Sequence, residues 1–207
     1  NGNFRSIPSS NDADVALREY NDNKYEITAV GLGTSTRYAV CNQLGGSKWA
    51  MHREYGDACF HTKMKSITTS KIKQISFGPN NSYAIVMKSG FCYHSTLGGA
   101  NSSYDRSGPW QSIEKHQNNI SYVAMTGNKS EWIVGYGSNG WDSRGLSSTC
   151  LDQLREAKSD GTIKSVTLGR KDWYYAIHSS WGWYYNGTDT FKTAMKACND
   201  KKIVAIW

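Results

Sequence analysis

The sequence predicts a mainly β protein: a five-bladed β-propeller with short helices between the blades, closed by its N- and C-terminal segments in one blade. Three observations lead there. An Ile-x-x-Val/Ile step recurs five times, at Ile27/Val30, Ile72/Ile75, Ile120/Val123, Ile163/Val166 and Ile203/Ile206, at intervals of 45, 48, 43 and 40 residues. Between the steps lie short runs of aromatic and β-branched residues, the types that pack on a pleated surface, punctuated by glycine turns. The two ends of the chain each match a different part of the repeated unit. Periods of this length mark solenoids and propellers, because one such unit cannot bury its own apolar face.

Each unit reads in the same order. The first strand ends two places beyond the step on a large apolar residue, Leu32, Phe77, Met125 or Leu168. That spacing is the period of two of a strand facing a core. A second strand follows at Tyr38-Ala39-Val40, Tyr83-Ala84-Ile85-Val86, Trp132-Ile133-Val134 and Tyr175-Ala176-Ile177. A third follows a glycine-led turn at Phe91-Cys92-Tyr93-His94, Trp141-Asp142-Ser143-Arg144 and Trp183-Tyr184-Tyr185-Asn186, and Cys59-Phe60-His61 takes that slot in the first unit. A helix ends the unit, clearest over 150–158 and 191–198, where apolar residues fall three and four apart.

At the ends, Asn3-Phe4-Arg5-Ser6 matches the third strand and residues 13–20 match the helix, while Ile203-Val204-Ala205-Ile206-Trp207 matches the first strand. Closing a ring through one shared blade removes the exposed sheet edge. An open solenoid would need polar caps, and the apolar C-terminus is a poor one. The expected organisation is thus one propeller domain over 1–207.

The unit from Ile163 through Val166, Trp173-Tyr174-Tyr175 and Gly182-Trp183 to the helix resembles repeats of bacterial and fungal propeller-like proteins. Those units run from an Ile-x-x-Val strand through a Tyr/Trp-rich strand and a Gly-aromatic turn to a short helix. Five-bladed lectins of the tachylectin type share the ring, but their units lack the helix, so their sugar-binding residues do not transfer. The resemblance implies a lectin-like propeller architecture and no particular activity.

Composition narrows the function. The formal charge is +7, yet Lys and Arg are dispersed without a basic run, which reads as a solvated surface rather than a nucleic-acid footprint. No apolar run reaches the length of a membrane helix. The first ten residues carry neither a secretory-signal pattern nor a starting Met, which leaves the compartment open between cytoplasmic and secreted. The five cysteines, Cys41, Cys59, Cys92, Cys150 and Cys198, include no C-x-x-C pair and read as buried thiols, with room for one disulfide. Asn-x-Ser/Thr triplets begin at Asn80, Asn101, Asn119, Asn128 and Asn186 and favour secretion only weakly.

Superposing the third strands selects the candidate site. A polar donor recurs as Arg5, His61, His94, Arg144 and Asn186, each followed by a small residue. In a closed ring these would share one height and line equivalent clefts or the axial channel, or else cap helices and tie neighbouring blades. Trp141 and Trp183 are the candidate stacking surfaces. His61 and His94 lack a carboxylate or thiolate at metal-ligand spacing, so no metal is expected. No G-x-S-x-G, H-E-x-x-H or P-loop is present, and Asp142 with Arg144 reads as a charged pair ordering a turn, so no enzyme is expected. The expected function is non-enzymatic, lectin-like carbohydrate binding without a cofactor. The alternative is a carrier of one small aromatic or apolar molecule such as a chromophore. It draws on the unequal residues Cys41, Val86, Gly135 and His178 at one repeated position.

Overall fold

In each of the four described copies of the repeat, the isoleucine opens the first strand of a three-stranded antiparallel meander. The computed structural model describes residues 15, 22, 27–32, 38–42, 49–51, 58–79, 82–95, 108–169 and 174–197. The first unit contains β1 (Ile27–Leu32), β2 (Tyr38–Asn42) and β3 (Trp49–Met51), followed by helix α1 (Ala58–Ser66). The second contains β4 (Ile72–Phe77), β5 (Tyr83–Met87) and β6 (Cys92–Ser95), followed by α2 (Trp110–His116). The third contains β7 (Ile120–Met125), β8 (Trp132–Tyr136) and β9 (Gly140–Arg144), followed by α3 (Ser148–Asp160). The fourth contains β10 (Ile163–Leu168), β11 (Tyr175–Ser179) and β12 (Trp183–Asn186), followed by α4 (Asp189–Ala197). Each meander is a separate sheet, ordered as in the chain.

The Ile-x-x-Val/Ile step has a physical origin. In all four sheets the pairing of the first strand with the second shifts between the isoleucine and the residue two places on: Ile27/Ala29, Ile72/Gln74, Ile120/Tyr122 and Ile163/Ser165. A β-bulge adds one residue on that strand, so side chains three apart point the same way. Ile120, Val123 and Met125 accordingly share one cluster with α2, whereas Tyr122 and Ala124 join the cluster on the opposite face.

The sheets and helices alternate in a stack. Phe60, Met64 and Ile67 of α1 and its flank lie against Ile72, Ile75, Phe77, Tyr83 and Ile85 of the second sheet. The other face of that sheet, Ala84, Val86 and Cys92, meets Trp110 and Ile113 of α2, which in turn cover the third sheet. Cys150, Leu154 and Ala157 of α3 fill the space between the third and fourth sheets. Phe191 and Met195 of α4 cover Ala176 on the far face of the fourth. The second and third sheets are thus apolar on both faces, because each is buried on both.

The first strands pack in series, β1 on β4, β4 on β7 and β7 on β10, while β10 and β1 are not packed on each other in this way. Gln74, at the bulge of β4, spans the series: its Nε2 donates to the Val166 carbonyl at 3.0 Å and its Oε1 accepts from the Val123 amide at 3.2 Å. Ser76 Oγ accepts from the Met125 amide at 3.2 Å. The unpaired edges of the inner strands therefore find side-chain partners.

One expectation is corrected. Cys59-Phe60-His61 is not the third strand of the first unit but lies within α1, and the third strand is Trp49–Met51. The local alternation suited a strand. The longer spacing Phe60, Met64, Ile67 puts three apolar residues on one helix face, and that face is the buried one. Asn3-Phe4-Arg5-Ser6 and Ile203 to Trp207 lie outside the described residues; of residues 13–20, Val15 is described and is helical.

Replacing Gln74 with Ala leaves a backbone amide in β7 and a carbonyl in β10 without their partners. We expect this variant to lose about 2 kcal/mol of unfolding free energy in urea titrations. A loss below about 0.5 kcal/mol would mean the bridge is dispensable.

Candidate binding cleft

Strand register divides the predicted donors. His94 pairs with Ala84, as Ser143 pairs with Ile133 and Tyr185 with Ala176. Arg144 pairs with Trp132 and Asn186 with Tyr175, so their true counterpart is Ser95, opposite Tyr83. A slip of one residue reverses the face of a strand side chain. The structure therefore corrects the single column of donors: Arg144 and Asn186 share one orientation and His94 has the other. His61 lies on a helix and Arg5 outside the described residues.

The two predicted stacking tryptophans are engaged in packing. Trp183 stacks on its cross-strand partner His178 with ring centroids 4.2 Å apart and packs on the α4 cluster. Trp141 packs against the core around α3, with Lys158 Nζ 5.1 Å from its ring centre. His94 stacks at 5.6 Å on Trp110, and its Nδ1 is buried without a hydrogen-bond partner.

The position two residues before Ser95, Arg144 and Asn186 carries a different repeated feature, a polar tie to the preceding helix. Tyr93, Asp142 and Tyr184 are equivalent, opposite Ile85, Val134 and Ile177. Lys63 of α1 sits 4.6 Å from the Tyr93 ring centre. Ser112 of α2 donates to Asp142 Oδ2 at 2.8 Å, and Tyr136 donates to Asp142 Oδ1 at 3.2 Å. His116 lies flat on Tyr136 at 3.6 Å, with its Nε2 3.9 Å from Asp142 Oδ2. Tyr184 donates to Asp160 at the end of α3. That bond first, then burial and the charges of Asp160 and Glu156, raise the Tyr184 hydroxyl to about 12. Asp142, expected to order a turn with Arg144, thus joins the second unit to the third. The Ser112–Asp142 contact is direct and no histidine lies between them, so the group lacks the nucleophile–base–acid order of a hydrolytic triad.

A shallow, solvent-open cleft lies between the second and third units, at the end of the sheets that carries the turns between their first and second strands. Pro79 and Ser82 come from one turn, Asn128, Lys129 and Glu131 from the next, and Trp110 and Trp132 line the wall between them. Trp110 is 3% exposed and forms the floor, whereas Trp132 is half-buried and presents part of its surface. The loop Thr126 to Glu131 is held from within. Glu131 accepts from Thr126 Oγ1 at 3.0 Å and from Asn128 Nδ2 at 2.7 Å, and Asn128 Oδ1 accepts from the Ser130 amide at 3.1 Å. Gly145, with φ +68°, lies against this loop, where a Cβ would come 2.3 Å from the Ser130 carbonyl oxygen. Its neighbour Arg144 is exposed and pairs across the strands with Trp132, one of the residues that line the cleft. His94 reaches the cleft indirectly, through Trp110. Asn186 belongs to the fourth sheet and stands apart from it.

Sequence inspection placed Trp132 in a second strand and Asn128 in an Asn-x-Ser/Thr triplet, and gave neither of them nor Glu131 a role in the site. The signal available was Thr-x-Asn-x-x-Glu between two strands, a spacing that lets a carboxylate and an amide close a loop. Cys92 and Cys150 are buried thiols, as expected, and burial pushes the Cys92 thiol up to about 12. Among the described residues no group of three or more His, Cys, Asp or Glu could hold a metal, and no helix is long and apolar enough to cross a membrane.

Fold and cleft together define a repeat protein of sheet–helix units with a solvent-open cleft between two of them. No protein family and no curated protein matches the chain. Solved structures with a similar arrangement include a plant lectin with two metal-binding sites from Cicer arietinum, at 10% identity over 79% of this chain and 88% of that one, with a TM-score of 0.41. Another is a plant albumin from Cicer arietinum showing hemagglutination, at 12% identity over 79% and 88% with a TM-score of 0.42. A third is LS24, a seed albumin from Lathyrus sativus, at 10% identity over 76% and 84% with a TM-score of 0.40. The assignments that follow rest on this chain's own residues.

Burial lowers the pKa of both His94 and His178 below the ordinary value of 6.5, with Glu114 partly opposing the shift at His94 and Lys164 adding to it at His178. A histidine held neutral in the fold but free to protonate when unfolded draws the equilibrium toward the unfolded chain in acid. The urea midpoint should therefore fall as pH drops below 6.5. A double variant, His94→Gln with His178→Gln, should show a shallower fall over the same range; an identical slope would contradict the assignment.

Proposed function

We propose that the chain is a non-enzymatic, lectin-like carbohydrate-binding protein that holds sugar in the cleft between its second and third units. The observation that carries this reading is the half-buried Trp132 ring set beside a loop whose polar groups are already fixed. A pyranose has an apolar C–H face and a rim of hydroxyls. Trp132 suits the first, and the lone pairs of Glu131 left over from Thr126 and Asn128 suit the second. Lys129 and Arg144 add donors at the rim. Because the loop is braced before any ligand arrives, little freedom is lost on binding.

The ring in which this cleft sits is read as a five-bladed propeller. Two features support it: β10 and β1 are not packed on each other as their neighbours in the series are, and α4 covers a fourth sheet that would face another unit. In this reading Ile203 to Ile206, which repeats the strand-opening step, would supply the missing inner strand, and Asn3-Phe4-Arg5-Ser6 the outer one.

The carrier alternative drew on unequal residues at one repeated position. Register matches each with a partner at the bulge: Cys41 with Ala29, Val86 with Gln74, Gly135 with Tyr122, His178 with Ser165. A Cβ on Gly135 would lie 2.2 Å from the Tyr122 ring, so at that unit the inequality serves packing. The open cleft also suits a sugar better than an enclosed pigment.

A glycan array should find a neutral or acidic oligosaccharide that the protein binds. Calorimetry on that glycan should show Trp132→Ala weakening binding at least about tenfold, some 1.4 kcal/mol, with Trp183→Ala near wild type. Failure to bind any glycan would remove the proposal.

A further inference from the structure

Trp181 is 79% exposed, at the tip of the β11–β12 turn, and among the described residues it is an outlier from aromatic side chains that are otherwise packed. The turn that carries it is rigid. Ser179 Oγ accepts from the Trp181 amide at 3.1 Å and from the Gly182 amide at 3.2 Å, and the Ser179 amide donates to the Gly182 carbonyl at 2.8 Å. Ser180 and Thr162 exchange two further bonds, amide to carbonyl at 2.9 Å and amide to hydroxyl at 3.0 Å. Gly161 lies beneath the indole: a Cβ there would come 2.5 Å from Trp181 Cδ1. Asn139 of the third unit anchors this glycine, donating to its carbonyl at 2.9 Å and accepting from the Ile163 amide at 2.9 Å. Asp160, the residue before Gly161, is exposed and accepts from Tyr184. Glu156 stands one helical turn earlier, also exposed. The result is a solvent-facing indole seated on Gly161, with the exposed Asp160 next to that glycine in the chain.

We infer that Trp181, with Asp160, forms a second carbohydrate contact, distinct from the cleft and at the opposite end of the sheets. One flat ring with acceptors at its edge matches a pyranose, which stacks its C–H face and donates its hydroxyls. A quaternary ammonium would call for several rings enclosing it, whereas among the described residues no second ring is set against the Trp181 indole. The cleft lies at the turns between first and second strands and Trp181 at a turn between second and third, so a strand's length, roughly 17 Å, separates them. Two contacts on opposite ends make one chain divalent, able to link two glycans without dimerising.

The test uses the full chain and calorimetric titration with cellotetraose, chitotetraose and mannotetraose, with tetramethylammonium as the competing cation. For a tetrasaccharide that binds, wild type should take two per chain, and Trp181→Ala and Trp132→Ala one each. Asp160→Asn, which keeps the shape of the side chain, should weaken the Trp181 contact at least threefold. If Trp132→Ala alone changes nothing while Trp181→Ala removes binding, the cleft assignment fails and this one stands. Unchanged stoichiometry and affinity in Trp181→Ala, or binding of tetramethylammonium at Trp181 in preference to all three sugars, would overturn it.

Discussion

Each first strand carries an extra residue at the same place, and the packing of these bulged strands on one another sets everything outside them. The bulge turns the isoleucine and the residue three places on toward one side, and in the first three units it sends the residue before the latter, Ala29, Gln74 or Tyr122, toward the next unit. From β4 that residue is a glutamine long enough to join three inner strands by two hydrogen bonds. With the inner strands held, every sheet has a defined neighbour. Each intervening helix is sandwiched rather than laid on a surface, which is why short helices with weak amphipathicity are stable here.

The units are alike in what faces the core and unlike in what faces solvent. Between the second and third units the junction carries a proline-led helix start, two tryptophans and a loop braced by Glu131. Between the third and fourth, Ser147 caps α3 instead, and the exposed tryptophan is at the other end of the sheet. A lectin with identical sites would repeat its contact residues; this chain repeats its scaffold and varies the decoration. Function on repeated scaffolds resides in such local departures.

Much of the fold was legible because burial writes a periodic signal. The second strands, the helices near 150 and 191 and the unit boundaries follow from apolar spacing alone. The thiols Cys92 and Cys150 were legible from another signal, the lack of any C-x-x-C pair together with the usual burial of free cysteine. The third strands were harder. They are short and half-buried, so neither period dominates, and Cys59-Phe60-His61 reads as strand until Met64 and Ile67 are weighed with it. The site was less legible still. A one-residue error in aligning those strands put His94 in line with Arg144, whereas hydrogen-bond register places Ser95 there. Asn128 and Glu131 act through a loop closed on itself, and Trp110 reaches the cleft from the start of a helix. Neither arrangement leaves a periodic trace.

Closure of the ring turns on what lies between β10 and β1. A crystal structure of the entire chain would measure it directly. A closed ring requires a strand from Ile203 to Ile206 there, bulged like the others, with residues 3–6 in the same sheet. Direct packing of β10 against β1, or a C-terminal segment lying elsewhere, would contradict it.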